Sequence, residues 1–150
     1  MGKILCATRG GEAAVRAQET AIGLAKDRGD ALLFFFVVDT DFLQRSVAAV
    51  RPDIVQAELE SMGEFLLAVA QERAQKQSVE AEIMVRSGYL RDELLTAIRK
   101  EDVTTVVLGT PTGPGSVFVL EGLQALAEGI ADESGVKVVI AGSQNDEEQG

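Results

Sequence analysis

Short apolar runs alternate along the chain with longer segments in which apolar residues recur at helical spacing. The second run is apolar almost throughout, as expected for a strand buried on both faces of a parallel sheet. The third alternates polar and apolar residues, which indicates a half-exposed edge strand. We predict five strands, at residues 3–8 (KILCAT), 31–38 (ALLFFFVV), 79–85 (VEAEIMV), 103–108 (VTTVVL) and 136–141 (VKVVIA).

Four helical segments lie between these strands. Small residues at helical spacing mark the first, and Gly29 is expected to end it; the second begins near Pro52, and Gly135 ends the fourth. Strictly alternating strands and helices predict a single α/β domain, in which a parallel sheet has helices on both faces and right-handed crossovers. Residues expected in the core are Leu5, Phe35, Val37, Val106 and Val139.

The fold class places the candidate site. Ligands of open α/β sheets bind beyond the carboxyl ends of the strands, where the strand order reverses. The loops after the first and fourth strands therefore matter most, namely RGG at 9–11 and the glycine- and proline-rich GTPTGPGS at 109–116.

Composition excludes several classes of function. The chain of 150 residues has no histidine, so the commonest general base and metal ligand are missing, and we expect no metal site. Its net charge of −10 argues against a nucleic-acid partner. Neither a secretory leader nor an apolar membrane span is predicted, so a cytoplasmic protein is expected. The single cysteine, Cys6, lies in the first strand and is expected to be buried and inert.

Known nucleotide motifs are absent from the two loops. Neither loop ends in the Lys-Ser or Lys-Thr pair of a P-loop, and the first lacks a GxGxxG fingerprint. A phosphoryl-receiver site needs acidic residues at the strand ends, where this chain has Arg9 and Arg86-Ser87. The chain also lacks the aromatic residues that usually stack on a bound flavin. The carboxylate pair Glu58/Glu60 is expected on an exposed helix face. Catalysis is therefore not predicted.

The chain resembles the universal stress protein family over roughly residues 2–141. The resemblance lies in KILCAT-x-GGE at the first strand and turn, FFFVVD closing the second strand, RSGYLRDELL on the third βα unit and VVLGTP at the fourth strand. It implies a five-stranded sheet in the order 3-2-1-4-5, a dimer formed through the last strand and, in a subset of members, binding of ATP or AMP. We expect the domain to span 1–142, followed by an acidic flexible tail at 143–150.

The family's ATP motif, G-x2-G-x9-G-[ST] with an aspartate after the first strand, matches this chain only in part. Its first and third glycines fall on Gly109 and Gly122, but the second falls on Thr112, the hydroxyl on Leu123 and the aspartate on Arg9. Arg9 can only donate hydrogen bonds where an aspartate would accept them. The candidate nucleotide- or anion-binding residues are Arg9, Val38, Leu108, Gly109, Thr110, Thr112, Gly113, Gly115, Ser116 and Gly122.

Two interpretations of the second loop stay open at this stage. Gly113, Gly115 and Ser116 leave a backbone able to point N–H groups at an anion, whereas Pro111 and Pro114 would equally well stiffen a surface loop. The resemblance implies a non-enzymatic dimer that responds to a nucleotide or anion, with weakly bound adenine nucleotide or phosphate as the candidate ligand. The alternative is an interaction dimer with an empty crevice. The expected dimer edge comprises Val136, Val138 and Ile140.

Overall fold

The computed structural model describes residues 2–8, 11–39, 52–109 and 116–141. Strands and helices alternate along these residues. The elements are β1 (Lys3–Ala7), α1 (Gly11–Arg28), β2 (Ala31–Asp39), α2 (Pro52–Lys76), β3 (Ala81–Gly88), α3 (Leu90–Lys100), β4 (Thr105–Gly109), α4 (Ser116–Ser134) and β5 (Lys137–Ala141).

All five strands form one parallel sheet in the order β3-β2-β1-β4-β5. The predicted fold class and strand order are therefore confirmed. The chain moves outward from β1 to β3 and then returns across the sheet to β4 and β5. Because parallel crossovers are right-handed, this reversal of direction sends α1 and α2 to one face and α3 and α4 to the other.

Alternate residues of the central strands fill two cores, one on each face of the sheet. On one face, Ile4, Phe34 and Val107 pack against the small residues of α1 and against Leu67 of α2. On the other face, Leu5, Phe35 and Val106 pack against α3 and α4. Of the five residues predicted for the core, Leu5, Phe35 and Val106 are fully buried, while Val37 and Val139 are partly buried.

The first helix lies close to the sheet because its inner face carries small side chains. Ala14, Ala17, Ala21 and Ala25 follow one another at helical spacing and are all buried. The helix ends at Gly29, whose φ of +70° is the left-handed conformation that glycine adopts without strain. Gly135 ends α4 in the same way, with φ of +75°. Both predicted stops are confirmed.

Two strands begin later than predicted because residues assigned to them close the preceding helix. The N–H of Val79 donates to the carbonyl oxygen of Ala74 at 2.9 Å, and the N–H of Val103 donates to that of Ile98 at 3.0 Å. These bonds hold the chain against the ends of α2 and α3, so β3 begins at Ala81 and β4 at Thr105. The apolar side chains of Val79 and Val103 still enter the core, which is why the sequence pattern resembled a strand.

Candidate functional site

The centre of the carboxyl edge of the sheet lies between β1 and β4. These neighbouring strands end together, since Ala7 is paired with Leu108. The chain leaves β1 towards β2 and leaves β4 towards β5, in opposite directions along the sheet. Diverging connections of this kind open a crevice at the point where strand order reverses, and ligands of α/β sheets bind there.

Two helices begin at this same edge. Helix α1 starts at Gly11 after β1, and α4 starts at Ser116 after β4. The first-turn N–H groups of a helix have no partner within the helix, and its dipole places partial positive charge at that end. Backbone donors from two helices therefore converge on the crevice, an arrangement suited to a phosphate or another anion.

The end of β1 is held in place by a chain of buried polar groups. The N–H of Thr8 donates to the carbonyl oxygen of Phe35 at 2.9 Å, and its hydroxyl accepts a bond from Nε2 of Gln18 at 2.9 Å. The amide oxygen of Gln18 in turn accepts a bond from Nη1 of Arg73 in α2. Thr8 and Gln18 are both buried, so these bonds fix the position of the backbone at the end of β1, beside the crevice.

The structure places half of the predicted binding residues. Gly109 ends β4, Ser116 begins α4 and Gly122 lies in the second turn of that helix. Val38 and Leu108 are buried on opposite faces of the sheet, so their side chains are core residues and only their backbone can face a ligand. The remaining predicted residues, Arg9, Thr110, Thr112, Gly113 and Gly115, lie outside the described part of the chain.

Two residues at this edge are missing from the set predicted from the sequence. Gly88 ends β3 opposite Asp39 of β2, and a Cβ on it would lie 2.7 Å from Oε2 of Glu93. A side chain there would have to displace that of Glu93, and the φ of +157° at Gly88 is a conformation that residues other than glycine rarely adopt. Tyr89 follows, with about half of its surface exposed. A glycine between a strand and a helix, with a glutamate one turn into that helix, was the available signal.

Of the carboxylate pair Glu58/Glu60, predicted on an exposed helix face, the structure confirms exposure for only one residue. Glu58 is exposed, but Glu60 is half-buried and accepts a hydrogen bond from the hydroxyl of Ser87 at 2.5 Å. The bond joins α2 to the end of β3 and gives Glu60 a structural role.

Other chemical groups do not change the character of the site. Burial raises the pKa of the Cys6 thiol to about 12, so the group stays protonated and inert, as predicted. Within the described residues, no group of three or more acidic or cysteine side chains is placed to hold a metal ion. No helix in those residues is long and apolar enough to cross a membrane.

The predicted dimer edge lies at the other end of the fold from β3. Strand β5 is an edge strand, with β4 on its inner side. Val138 and Ile140 are half-buried, whereas Val136 precedes the strand and is only 9% exposed, packed in the core beside α4.

Comparison with solved structures shows many proteins of this fold. The chain is similar to a protein from the universal stress protein family of Burkholderia pseudomallei, with 21% identity, 95% and 96% of the two chains covered and a TM-score of 0.72. It is similar to universal stress protein UspA of Lactobacillus plantarum, with 14% identity, 94% and 97% coverage and a TM-score of 0.78. It also resembles a universal stress protein family protein of Arabidopsis thaliana with AMP bound, with 15% identity, 98% and 95% coverage and a TM-score of 0.65.

Among curated proteins, none matches the chain significantly. Identities this low show only that the folds are shared, and a family model gives the more specific evidence. The model of the universal stress protein family matches residues 1–142, nearly the whole chain. With the 3-2-1-4-5 sheet already established, this match shows that the chain belongs to the universal stress protein family.

Proposed function

We propose that this chain is a non-catalytic, dimeric, cytoplasmic module of the stress response whose crevice receives an adenine nucleotide or phosphate. The observation that carries the proposal is the convergence of the α1 and α4 N-termini on the crevice between β1 and β4. The first-turn N–H groups of both helices have no partner within their own helix, and together with the helix dipoles they favour a ligand with negative charge. The AMP bound to the Arabidopsis relative supports an adenine nucleotide as one such ligand.

The same crevice is expected to bind ATP only weakly and to suit a small anion such as phosphate better. Arg9, Thr112 and Leu123 stand where ATP-binding members have an aspartate, a glycine and a hydroxyl. A lost charge-assisted hydrogen bond lowers affinity by about 1.5–3 kcal/mol, a factor of ten or more. Arg9 adds a positive charge after β1, which favours a phosphate group.

Calorimetry of the ligand-free protein with ATP, AMP and inorganic phosphate tests this proposal. We expect phosphate or AMP to bind measurably and ATP to bind only weakly. A triple variant carrying Arg9→Asp, Thr112→Gly and Leu123→Ser restores the family motif and should gain at least tenfold in ATP affinity. Micromolar binding of ATP by the unmodified chain would contradict a degenerate site, and failure of all three ligands to bind would contradict the proposal as a whole.

An interaction dimer with an empty crevice remains the second candidate function. The observation that favours it is the exposed apolar surface of α2, where Phe65 is 68% exposed. Denaturing the purified protein and separating the released small molecules by chromatography distinguishes the two functions. Nucleotide recovered in stoichiometric amount supports the ligand-binding module, and its absence together with negative calorimetry supports the interaction dimer.

Catalysis is tested by measuring phosphate release from ATP. The two loops contain no lysine to reach the phosphates, and Leu123 and Arg9 stand where ATP-binding members have a hydroxyl and an aspartate. We therefore expect no turnover above the rate of ATP in buffer. The triple variant regains the hydroxyl and the aspartate but still has no lysine between Lys100 and Lys137, so we expect no turnover from it either.

We further propose that the dimer forms through β5. The N–H of Lys137 donates inward to the carbonyl oxygen of Thr104 at 3.2 Å. Because hydrogen-bonding direction alternates along a parallel strand, Val138 and Ile140 direct their backbone groups towards the open edge. A two-fold axis pairing this edge with its copy would satisfy both edges at once.

Proline substitution tests the β5 dimer with a built-in control. Val138→Pro removes an outward N–H and should reduce the mass measured by light scattering while leaving the β4–β5 pairing intact. Val139→Pro removes an inward N–H and should lower stability instead. A Val138→Pro variant with unchanged mass would contradict pairing through this strand.

A further inference from the structure

The outward surface of α2 carries apolar side chains that the described residues leave exposed. Leu67, Ala70 and Ala74 bury the inner face of the helix against the sheet. On the opposite face, Met62 is 44% exposed, Phe65 68% and Val69 38%. Single exposed apolar residues are ordinary, but neighbours at spacings of three and four form one patch, and such patches mark contact surfaces.

Charged residues continue the same line of positions on both sides of the patch. Spacings of four and three alternate along the helix, as at the contact seam of a two-helix coiled coil. All members of this line are exposed. The line, called the α2 stripe below, comprises Glu58, Met62, Phe65, Val69, Glu72 and Lys76.

The two ends of the α2 stripe have opposite charge. Glu58 lies at the amino end and Lys76 at the carboxyl end. Among the described residues neither forms an ion pair, whereas Lys3 and Arg91 do. An apolar centre flanked by one acidic and one basic terminus is complementary to itself when a copy is turned end to end.

We propose that the α2 stripe pairs with the α2 stripe of a second copy of this chain, antiparallel, about a two-fold axis at the height of Leu67. In this register Phe65 packs on the partner's Val69, and Glu58 faces the partner's Lys76. The symmetry of the axis provides each contact twice. Met62 lies over the partner's Glu72, whose methylene groups can cover it.

Other arrangements of two copies bring like charges together. A parallel pair in register places Glu58 on Glu58 and Lys76 on Lys76. An antiparallel pair centred on Phe65 places Glu58 opposite the partner's Glu72. Like charges in directly facing positions are destabilising, so the register with Glu58 on the partner's Lys76 is favoured.

This surface is separate from the proposed β5 dimer. Helix α2 packs on β2 and β3, and β5 is the edge strand at the other end of the sheet. Both contacts can therefore form on one subunit. A chain that uses both assembles beyond a dimer, and a chain with the β5 edge blocked should still form pairs through α2.

The first experiment is sedimentation velocity over a range of concentrations, in the unmodified chain and in Val138→Pro. We expect masses above a dimer in the former and a monomer–dimer equilibrium in the latter. Phe65→Glu should weaken the α2 pair by roughly thirtyfold or more in both, because it places a charge at the centre of the contact.

Tyr89→Ser, which alters an exposed aromatic residue outside the stripe, is the matched control and should leave the mass unchanged. Phe65 is largely exposed, so circular dichroism of Phe65→Glu should match the unmodified chain.

A charge exchange tests the register. Glu58→Lys and Lys76→Glu should each weaken the pair by about tenfold, because two attractive contacts become repulsive. The double variant recreates opposite charges across the axis and should recover the original affinity. Recovery supports the antiparallel register, and lack of recovery overturns it. Two results together would overturn self-pairing: Val138→Pro has the mass of one subunit at every concentration, and Phe65→Glu does not change the mass of the otherwise unmodified chain. The α2 stripe would then be a contact surface for a different partner.

Discussion

At the scale of the residue, two helical glycines differ in what surrounds them. Gly63 lies in α2 with its Cα facing the ring of Phe36, and a Cβ there would lie 2.4 Å from Cδ1 of that ring. A Cβ on Gly23 in α1 would meet no atom within 4 Å. Gly63 permits close packing of the helix on the sheet, whereas Gly23 has room for a residue with higher helix propensity.

Alanine substitution should therefore have opposite effects at these two positions. Gly63→Ala must displace Phe36 and should lower the free energy of unfolding by about 1–3 kcal/mol. Gly23→Ala gains helix propensity without a clash and should raise it by up to about 1 kcal/mol. Urea denaturation of both variants measures the difference, and a stabilised Gly63→Ala would show that Phe36 is free to move.

The buried thiol of Cys6 makes stability depend on alkaline pH. Burial raises its pKa from the ordinary 9.0 to about 12. Between these values the unfolded chain has lost the proton and the folded chain keeps it, so the folded state becomes less stable as pH rises. The loss approaches about 1.4 kcal/mol per pH unit, and stability from this group is fully present below pH 9.

Comparison with Cys6→Ala isolates this contribution. The variant should be less stable at neutral pH because it leaves a cavity, yet its stability should fall less steeply between pH 9 and 12. Urea denaturation at several pH values gives both slopes. Parallel slopes would mean that the thiol ionises in the folded protein as easily as in the unfolded one.

At the scale of the element, α3 begins without a capping side chain. Its N-cap residue, Tyr89, is extended (φ −82°, ψ 129°) and its side chain makes no capping hydrogen bond. The helix is nevertheless strongly amphipathic, with Leu94, Ala97 and Ile98 buried. Packing therefore holds this helix in place, and its first-turn N–H groups offer unused stabilisation.

Serine at position 89 should supply the missing cap. Tyr89→Ser should be more stable than Tyr89→Ala by about 1 kcal/mol, because both remove the ring but only serine can accept from the first-turn N–H groups. The comparison of two urea transitions gives this difference directly. Equal stabilities would indicate that the backbone at this end cannot adopt capping geometry with a small side chain.

The order and type of the elements could be predicted from hydrophobic period, but several boundaries could not. Gly29 and Gly135 signalled the ends of α1 and α4 because glycine tolerates positive φ. The ends of α2 and α3 also pass through positive φ, at Ser78 (+63°) and Asp102 (+54°), without a glycine to mark them. The strands that follow were consequently predicted two residues too early. These ends depend on bonds back to each helix, which no local propensity encodes.

At the scale of the whole molecule, the sequence predicted where a ligand crevice would lie but not the contacts that support that edge of the sheet. Fold class and loop composition together pointed to the carboxyl edge between β1 and β4. The bonds linking Thr8, Gln18 and Arg73 escaped prediction because they join the end of β1 to α1 and α2, and Gln18 and Arg73 lie 55 residues apart in sequence. Strand order likewise followed from family resemblance, since the pairing of parallel strands leaves no signal in the strands themselves.

The amino edge of the sheet, opposite the crevice, is held by polar contacts around Lys3. Its ammonium group lies 2.8 Å from Oε1 of Glu101 and 3.2 Å from Oε1 of Glu82. The hydrogen bond to Glu101 is the largest of the interactions that raise the pKa of Lys3 above its usual value. These contacts tie β1 to β3 and to the end of α3, at the edge of the sheet opposite the proposed ligand crevice.

A double-mutant cycle should rank the two ion pairs of Lys3. Glu101 is 27% exposed and Glu82 67%, so water screens the second pair more strongly. With Lys3→Met, Glu101→Gln and Glu82→Gln, we expect a coupling energy of about 1 kcal/mol for the Glu101 pair and about 0.2 kcal/mol for the Glu82 pair. Because Lys3 lies at the amino edge, Lys3→Met should leave the affinity for phosphate or AMP unchanged while it lowers stability. An altered affinity would show that the two edges of the sheet are coupled, and a larger coupling for Glu82 would show that distance and exposure do not set the strength of these pairs.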